Sequence, residues 1–140
     1  MCIYFDSSAL IKWSVQEAES DAVEAAFGHY VARDAVIVSS LLAWVEVSRA
    51  LRGQMDSDSD GRDEIYNAVA DALSGVAERL IAGEVISLTR RVAPFRLCSL
   101  EAIHLATAIL LDVDEIILYD DRLIEACRHN GLTVVSPGRT

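Results

Sequence analysis

Cys2-Ile3-Tyr4-Phe5-Asp6-Ser7-Ser8-Ala9-Leu10 is the stretch that decides the fold. Ile3 to Phe5 is apolar without alternation, which predicts a short strand buried on both faces. Asp6-Ser7-Ser8 supplies side-chain oxygens that can satisfy the free N–H groups of a helix start, so a helix is expected through about Trp13. Asp6 then sits at the carboxyl end of a buried strand. Open parallel sheets bind their ligands in the crevice beyond such ends.

The same alternation continues outward. Glu17 to Val31 shows helical spacing, with Ala18, Ala22, Ala25, Ala26 and Tyr30 near one face. Ala35 to Val38 reads as a second buried strand, and Ser39 with Ser40 as the cap of a helix to about Arg52. Gly53 to Gly61 is a polar connection. Its alternating aspartates do not make a calcium loop of the EF-hand type, because position 12 is Asn67 and not glutamate. A helix is expected from about Arg62 to Ser74, a third strand over Val85 to Leu88, and a short helical piece over Thr89 to Ala93, closed by Pro94. Ser99 caps a helix through Leu111. Glu115 to Tyr119 is a strand, Asp121 to Asn130 a helix ended by Asn130-Gly131, and Thr133 to Val135 the last strand. Strands alternating with helices imply an α/β fold with a parallel sheet covered on both faces.

The 140 residues, 52% of them hydrophobic, are expected to form a single domain over 1–140. No apolar run reaches the roughly 18 residues of a membrane span. No basic region leads into a long apolar core at the start, so a cytoplasmic protein is expected. Cys2, Cys98 and Cys127 are odd in number, lack a CxxC spacing and read as small buried hydrophobes. The net charge of -10 opposes long-range attraction of nucleic acid. Lys12 is the only lysine, but arginines cluster at Arg49 with Arg52 and at Arg90, Arg91 and Arg96. A nucleic-acid partner would be held by such local patches, since arginine clamps phosphate bidentately.

Four acids end or interrupt apolar segments: Asp6, Glu46, Glu101 and Asp120. Carboxylates are rarely buried unless paired or bound to a metal. Asp6 and Asp120 follow strands, and the helices carrying Glu46 and Glu101 can reach the same crevice. Converging carboxylates repel, and a divalent cation removes the conflict. Hard oxygen ligands favour Mg²⁺ or Mn²⁺ over zinc. A water polarised by such an ion is a nucleophile for a phosphodiester. Plainer roles exist for each acid. Asp6 can cap a helix, Glu46 can pair with Arg49 or Arg52, and Glu101 can favour a helix N-terminus. His104 shares a helix face with Glu101 and reads as a packing or hydrogen-bonding residue. Trp13 and Trp44 read as core or dimer contacts. A phosphoryl-accepting receiver would need a lysine near the last strand, and a haloacid-dehalogenase-like site a second aspartate where Ser8 stands.

Four motifs in order carry a resemblance: Ile3-Tyr4-Phe5-Asp6-Ser7-Ser8-Ala9-Leu10, Val45-Glu46-Val47-Ser48-Arg49-Ala50-Leu51, Ser99-Leu100-Glu101-Ala102-Ile103-His104-Leu105-Ala106-Thr107-Ala108 and Leu118-Tyr119-Asp120-Asp121-Arg122-Leu123. Together they resemble the PIN-domain nucleases and, more narrowly, the VapC toxins of bacterial toxin–antitoxin pairs. The resemblance implies a three-layer α/β/α fold with a central, mostly parallel sheet, and a metal-dependent endoribonuclease acting on RNA. It implies a homodimer and a cognate antitoxin whose C-terminal segment occupies the active-site groove. By position, Asp6, Glu101 and Asp120 match metal ligands, Glu46 the remaining catalytic acid and Ser8 the nearby hydroxyl, with Asp121 and His104 in support. Arg90, Arg91 and Arg96 are RNA-contact candidates, or else an antitoxin or dimer surface. Glu101 departs from the usual aspartate, and Leu118 from a common threonine or serine. These departures leave a PIN-like binding module without catalysis as the alternative.

Overall fold

The computed structural model describes residues 1–54 and 62–140, without the side chain of Arg62. Most of the Gly53–Gly61 connection, including its aspartates, lies outside the described residues. In chain order the elements are β1 (Cys2–Phe5), α1 (Ser7–Ser14), α2 (Ser20–Val31), β2 (Val36–Ser40), α3 (Leu42–Gly53), α4 (Arg62–Ala72), β3 (Ala77–Arg79), α5 (Gly83–Thr89), α6 (Ser99–Leu110), β4 (Glu115–Ile117), α7 (Asp121–His129) and β5 (Val134–Val135).

The strands form one sheet in the order β3-β2-β1-β4-β5, and every pairing is parallel. Tyr4 of β1 stands opposite Val38 on one side and Ile116 on the other. Strand alternation then sorts the apolar side chains into two layers. Ile3, Phe5, Ile37 and Ile117 pack against Leu10, Phe27, Val47 and Val69 of α1 to α4. Tyr4, Val38, Ile116 and Leu118 pack against Leu105, Ala108, Leu123 and Cys127 of α6 and α7. Helices on both faces of a parallel sheet make the expected three-layer α/β/α fold. The chain winds outward from β1 through β2 to β3, then returns to the other side of β1 as β4. The strand order therefore reverses between β1 and β4, the place where such sheets open a crevice.

Several expectations are corrected. Val85 to Leu88 is not a strand but the middle of α5, because a short apolar run fits either period and only Val85 among these four is fully buried. The third strand is Ala77-Glu78-Arg79, a three-residue edge carrying charge. Such an edge resists pairing with other chains but shows no apolar pattern. Thr89 to Ala93 does not start a helix, since Thr89 is the last residue of α5. α2 begins at Ser20, after Glu19 at φ 66°, and it buries Val23, Phe27 and Tyr30 instead of a row of alanines. Ser39 and Ser40 are buried strand residues. The Ser39 hydroxyl donates to the Phe5 carbonyl at 2.7 Å, and only Ser40 reaches the next helix, accepting from Leu42 N–H at 3.2 Å. Cys127 is buried, but Cys98 is exposed and Cys2 half-buried. Trp13 is a core contact, stacked on Phe27 with centroids 4.5 Å apart. Among the described residues no helix is long and apolar enough to cross a membrane.

Candidate active site

Asp6 ends β1 and caps α1. Its Oδ2 accepts from Ser8 N–H at 3.0 Å and from the Ser8 hydroxyl at 2.7 Å. The same hydroxyl accepts from Tyr119 N–H at 2.9 Å, so Ser8 ties Asp6 to the segment leaving β4. Asp120 caps α7 by accepting from Leu123 N–H through Oδ1 at 2.9 Å. Glu46 comes from α3, where its Oε1 accepts from the Ser7 hydroxyl at 2.7 Å. Glu101 is the third residue of α6. Its Oε2 accepts from Cys98 N–H at 3.0 Å, and its Oε1 pairs with Arg122 at 3.1 Å. All four acids line one cleft of about 250 Å³, together with Ser7, Ser8, Cys98 and His104.

His104 is more central than its sequence position suggests. The ring is buried, and its Nε2 lies 2.7 Å from Glu46 Oε1 and 3.0 Å from the Ser7 hydroxyl. Its Nδ1 lies 2.6 Å from the Tyr4 hydroxyl and 3.5 Å from Asp6 Oδ1. In the neutral ring the Tyr4 hydroxyl donates to Nδ1, and in the imidazolium Nδ1–H donates to Tyr4. Burial by itself would lower the histidine pKa, but the charge of Asp6 and the hydrogen bond and charge of Glu46 outweigh it, and the net shift is upward. Burial pushes Glu46 the other way, yet the His104 hydrogen bond and charge, with Ser7, hold it below its ordinary value. Tyr4 is fully buried and is raised well above the usual phenol range, by burial and then by Asp6. Glu46 therefore turns to His104 and Ser7 rather than serving only a helix-surface pair.

A divalent cation is compatible with this chemistry. Asp6 Oδ1 is a buried carboxylate oxygen without a hydrogen-bond partner. Orphaned buried oxygens of this kind call for an ion or a water. The acids around it are hard oxygen donors, suited to Mg²⁺ or Mn²⁺. Among the described residues, no three His, Cys, Asp or Glu side chains are gathered as a ready ligand group. The side-chain bonds explain why: Glu101 spends both oxygens on Cys98 and Arg122, and Asp120 spends Oδ1 on its cap.

Other expected residues fall elsewhere. Asp121 begins α7 but does not line the cleft; it pairs with Arg139 at 3.0 Å. Arg90, Arg91 and Arg96 are exposed, and none lines the acid cleft. Leu118 is fully buried in the second core layer, so a hydroxyl there would need its own partner. Ser7, Tyr4 and Arg122 escaped the sequence reading. Arg122 gave a weak signal, two residues past Asp120 in a helix start. Tyr4 gave none, because its contact with α6 depends on the sheet face it occupies.

No protein-family model matches the chain. Its sequence is 39% identical over 137 residues to Ribonuclease VapC46 of Mycobacterium tuberculosis, covering 96% of this chain and 97% of that one. Ribonuclease VapC47 of the same species is 31% identical over 140 residues, covering 97% of each. In structure the chain resembles VapBC2 of Rickettsia felis, solved bound to a DNA fragment from its promoter. The TM-score is 0.74 at 10% identity, over 98% of this chain and 99% of that one. It also resembles the sarcin–ricin loop cleaving toxin VapC20 of M. tuberculosis, with a TM-score of 0.71 at 14% identity over 96% and 99% of the two chains. The structural likenesses establish the shared fold, and the sequence identity over nearly the full length establishes the kinship: the chain belongs to the VapC family of ribonuclease toxins.

Proposed function

We propose that this toxin cleaves RNA internally with the help of Mg²⁺ or Mn²⁺, as a cytoplasmic homodimer held inactive by a cognate antitoxin. One observation carries the chemical part of the reading. Four carboxylates from four separate segments border one cleft at the point where the strand order reverses, and Asp6 Oδ1 is buried there without a partner. Asp6, Glu101 and Asp120 would hold the cation, which supplies charge stabilisation at the phosphate and a polarised water. Ser8 fixes Asp6 through Oδ2 and leaves Oδ1 free. Ser7 and His104 fix Glu46 in its ionised form, ready to accept a hydrogen bond from the attacking water. RNA as substrate follows the ribonuclease relatives, and an antitoxin partner follows the VapBC2 assembly.

The test is cleavage of RNA by purified protein with added Mg²⁺ or Mn²⁺. Activity should vanish with EDTA and with Asp6→Asn. Equal cleavage in excess EDTA would overturn the metal-dependent reading. A second reading, a PIN-like binding module, is favoured by one fact: Glu101 is committed to Cys98 and Arg122 instead of standing free. Calorimetric titration with Mn²⁺ separates the two. Binding that weakens in Asp120→Asn supports the nuclease, and no binding by the wild-type chain supports the module.

A further inference from the structure

A second groove lies at the far end of α7, lined by Pro94, Phe95, Arg96, Glu125, Arg128 and His129. Phe95 is 84% exposed there, more than any other large apolar side chain of the described residues. Its loop is nevertheless anchored. Asn130 Nδ2 donates to the Ala93 carbonyl at 2.8 Å, Leu97 N–H donates to the Pro94 carbonyl at 3.1 Å, and Val92 is buried. The ring is thus presented on a fixed segment.

The charge around it runs against the rest of the protein. The chain carries -10, with 12 lysines and arginines against 22 acids. Arg96 and Arg128 line the groove against a single acid, Glu125, and exposed Arg90 and Arg91 precede its loop in sequence. Arg96 pairs with Glu125 at 2.8 Å, but both side chains are about two-thirds exposed or more. Such a pair contributes little and can be exchanged for a phosphate.

The groove is also connected to the acid cleft. Phe95 is three residues from Cys98, which lines the cleft, so the two lie at most roughly 11 Å apart along the backbone. α7 runs from Asp120 in the cleft to Arg128 and His129 in the groove, a rise of roughly 13 Å. One strand of a few nucleotides can span both.

We propose that this groove is a second RNA contact, in which Phe95 stacks on a base of single-stranded RNA while Arg96 and Arg128 hold its phosphates. The proposal rests on the ribonuclease reading above. Exposed aromatics flanked by arginines suit single strands because every base offers a π-face, whatever the sequence.

The test uses the full chain carrying Asp6→Asn, which stops turnover, with its fold checked by near-ultraviolet circular dichroism. Binding of a fluorescein-labelled single-stranded RNA of mixed sequence is followed by anisotropy. Adding Phe95→Ala should weaken binding roughly 10-fold or more. Phe95→Trp should retain affinity, and Phe95→Leu should lose it as alanine does, because bulk without a π-face does not stack. Arg128→Gln should lessen the salt dependence of binding. Unchanged affinity in Phe95→Ala would overturn the proposal. So would a change of oligomeric mass in Phe95→Ala at unchanged RNA affinity per protomer, which would make the groove a protein interface. Failure of the wider reading looks different: the wild-type chain would neither cleave nor bind this RNA.

Discussion

His104 Nε2 lies 2.7 Å from Glu46 Oε1, and this contact joins α6 to α3 across the cleft. The other ring nitrogen faces Tyr4 and Asp6, so one buried imidazole braces two of the four acids. Removing it leaves a carboxylate and a buried phenol short of partners. His104→Ala should cost about 2–4 kcal/mol of stability, since bonds to charged groups and broken buried pairs are the expensive cases. Urea unfolding checks this, and a loss well under 1 kcal/mol would show that the ring only fills space.

The pair also sets a pH window. His104 is raised in the fold, so its contribution is fully present below its unfolded value of 6.5 and fades as pH climbs through the higher folded value. Glu46 is lowered, so its contribution is present above its unfolded value of 4.5 and fades as pH falls through the lower folded value. Without added divalent cation, wild-type stability should therefore decline above neutrality more steeply than that of His104→Gln. Urea midpoints measured across the pH range give the comparison. Parallel curves would mean that the imidazole is not charged in the fold.

Ser8 is the next small residue with a large role, because one hydroxyl serves Asp6 and Tyr119 N–H at once. Ser8→Ala should cost about 1–3 kcal/mol by leaving that N–H unpaired. It should also lower the cleavage rate, because Asp6 keeps only the Ser8 N–H on Oδ2. A double-mutant cycle with Asp6→Asn, read by urea unfolding, measures the coupling. Additive losses would show that Ser8 acts on the fold alone.

Thiol chemistry separates the cysteines. Burial, and then the charge of Asp6, pushes the Cys127 thiol up to about 12, and the side chain is inaccessible. Cys2 is half-buried and also raised, by burial and by Asp114. Cys98 is exposed at the lip of the cleft. An aromatic disulfide reagent at neutral pH should label one thiol quickly in the native protein and all three in urea. Rapid native labelling of Cys127 would contradict the packing of α7.

What the sequence reveals, and what it hides, follows from how local each signal is. The β1–Asp6–α1 unit was legible because an apolar run and a cap residue are adjacent. The four acids were legible because each interrupts apolar chain. β3 is hidden because an edge strand of Ala77, Glu78 and Arg79 needs no apolar pattern, and α5 is ambiguous because Val85-Ile86-Ser87-Leu88 suits two periods. The Tyr4–His104–Glu46 link has two steps, one between residues 100 positions apart and one between residues 58 apart. Only the rotation of α6 over the sheet brings them together, and no local pattern encodes that.

Glu101 offers the sharpest opposition between stability and activity. Its extra methylene lets one oxygen reach back to Cys98 N–H while the other meets Arg122. An aspartate is shorter and gives up part of that arrangement. Glu101→Asp should therefore lose about 0.5–1.5 kcal/mol, the usual scale for a weakened helix cap. The same change frees a carboxylate for a cation, so Mn²⁺ affinity and cleavage rate should rise together. Calorimetry and initial rates on one RNA measure both. If Glu101→Asp weakens the fold and also weakens metal binding, the capping bonds are not what restrains this acid, and its length in the native chain is already matched to the site.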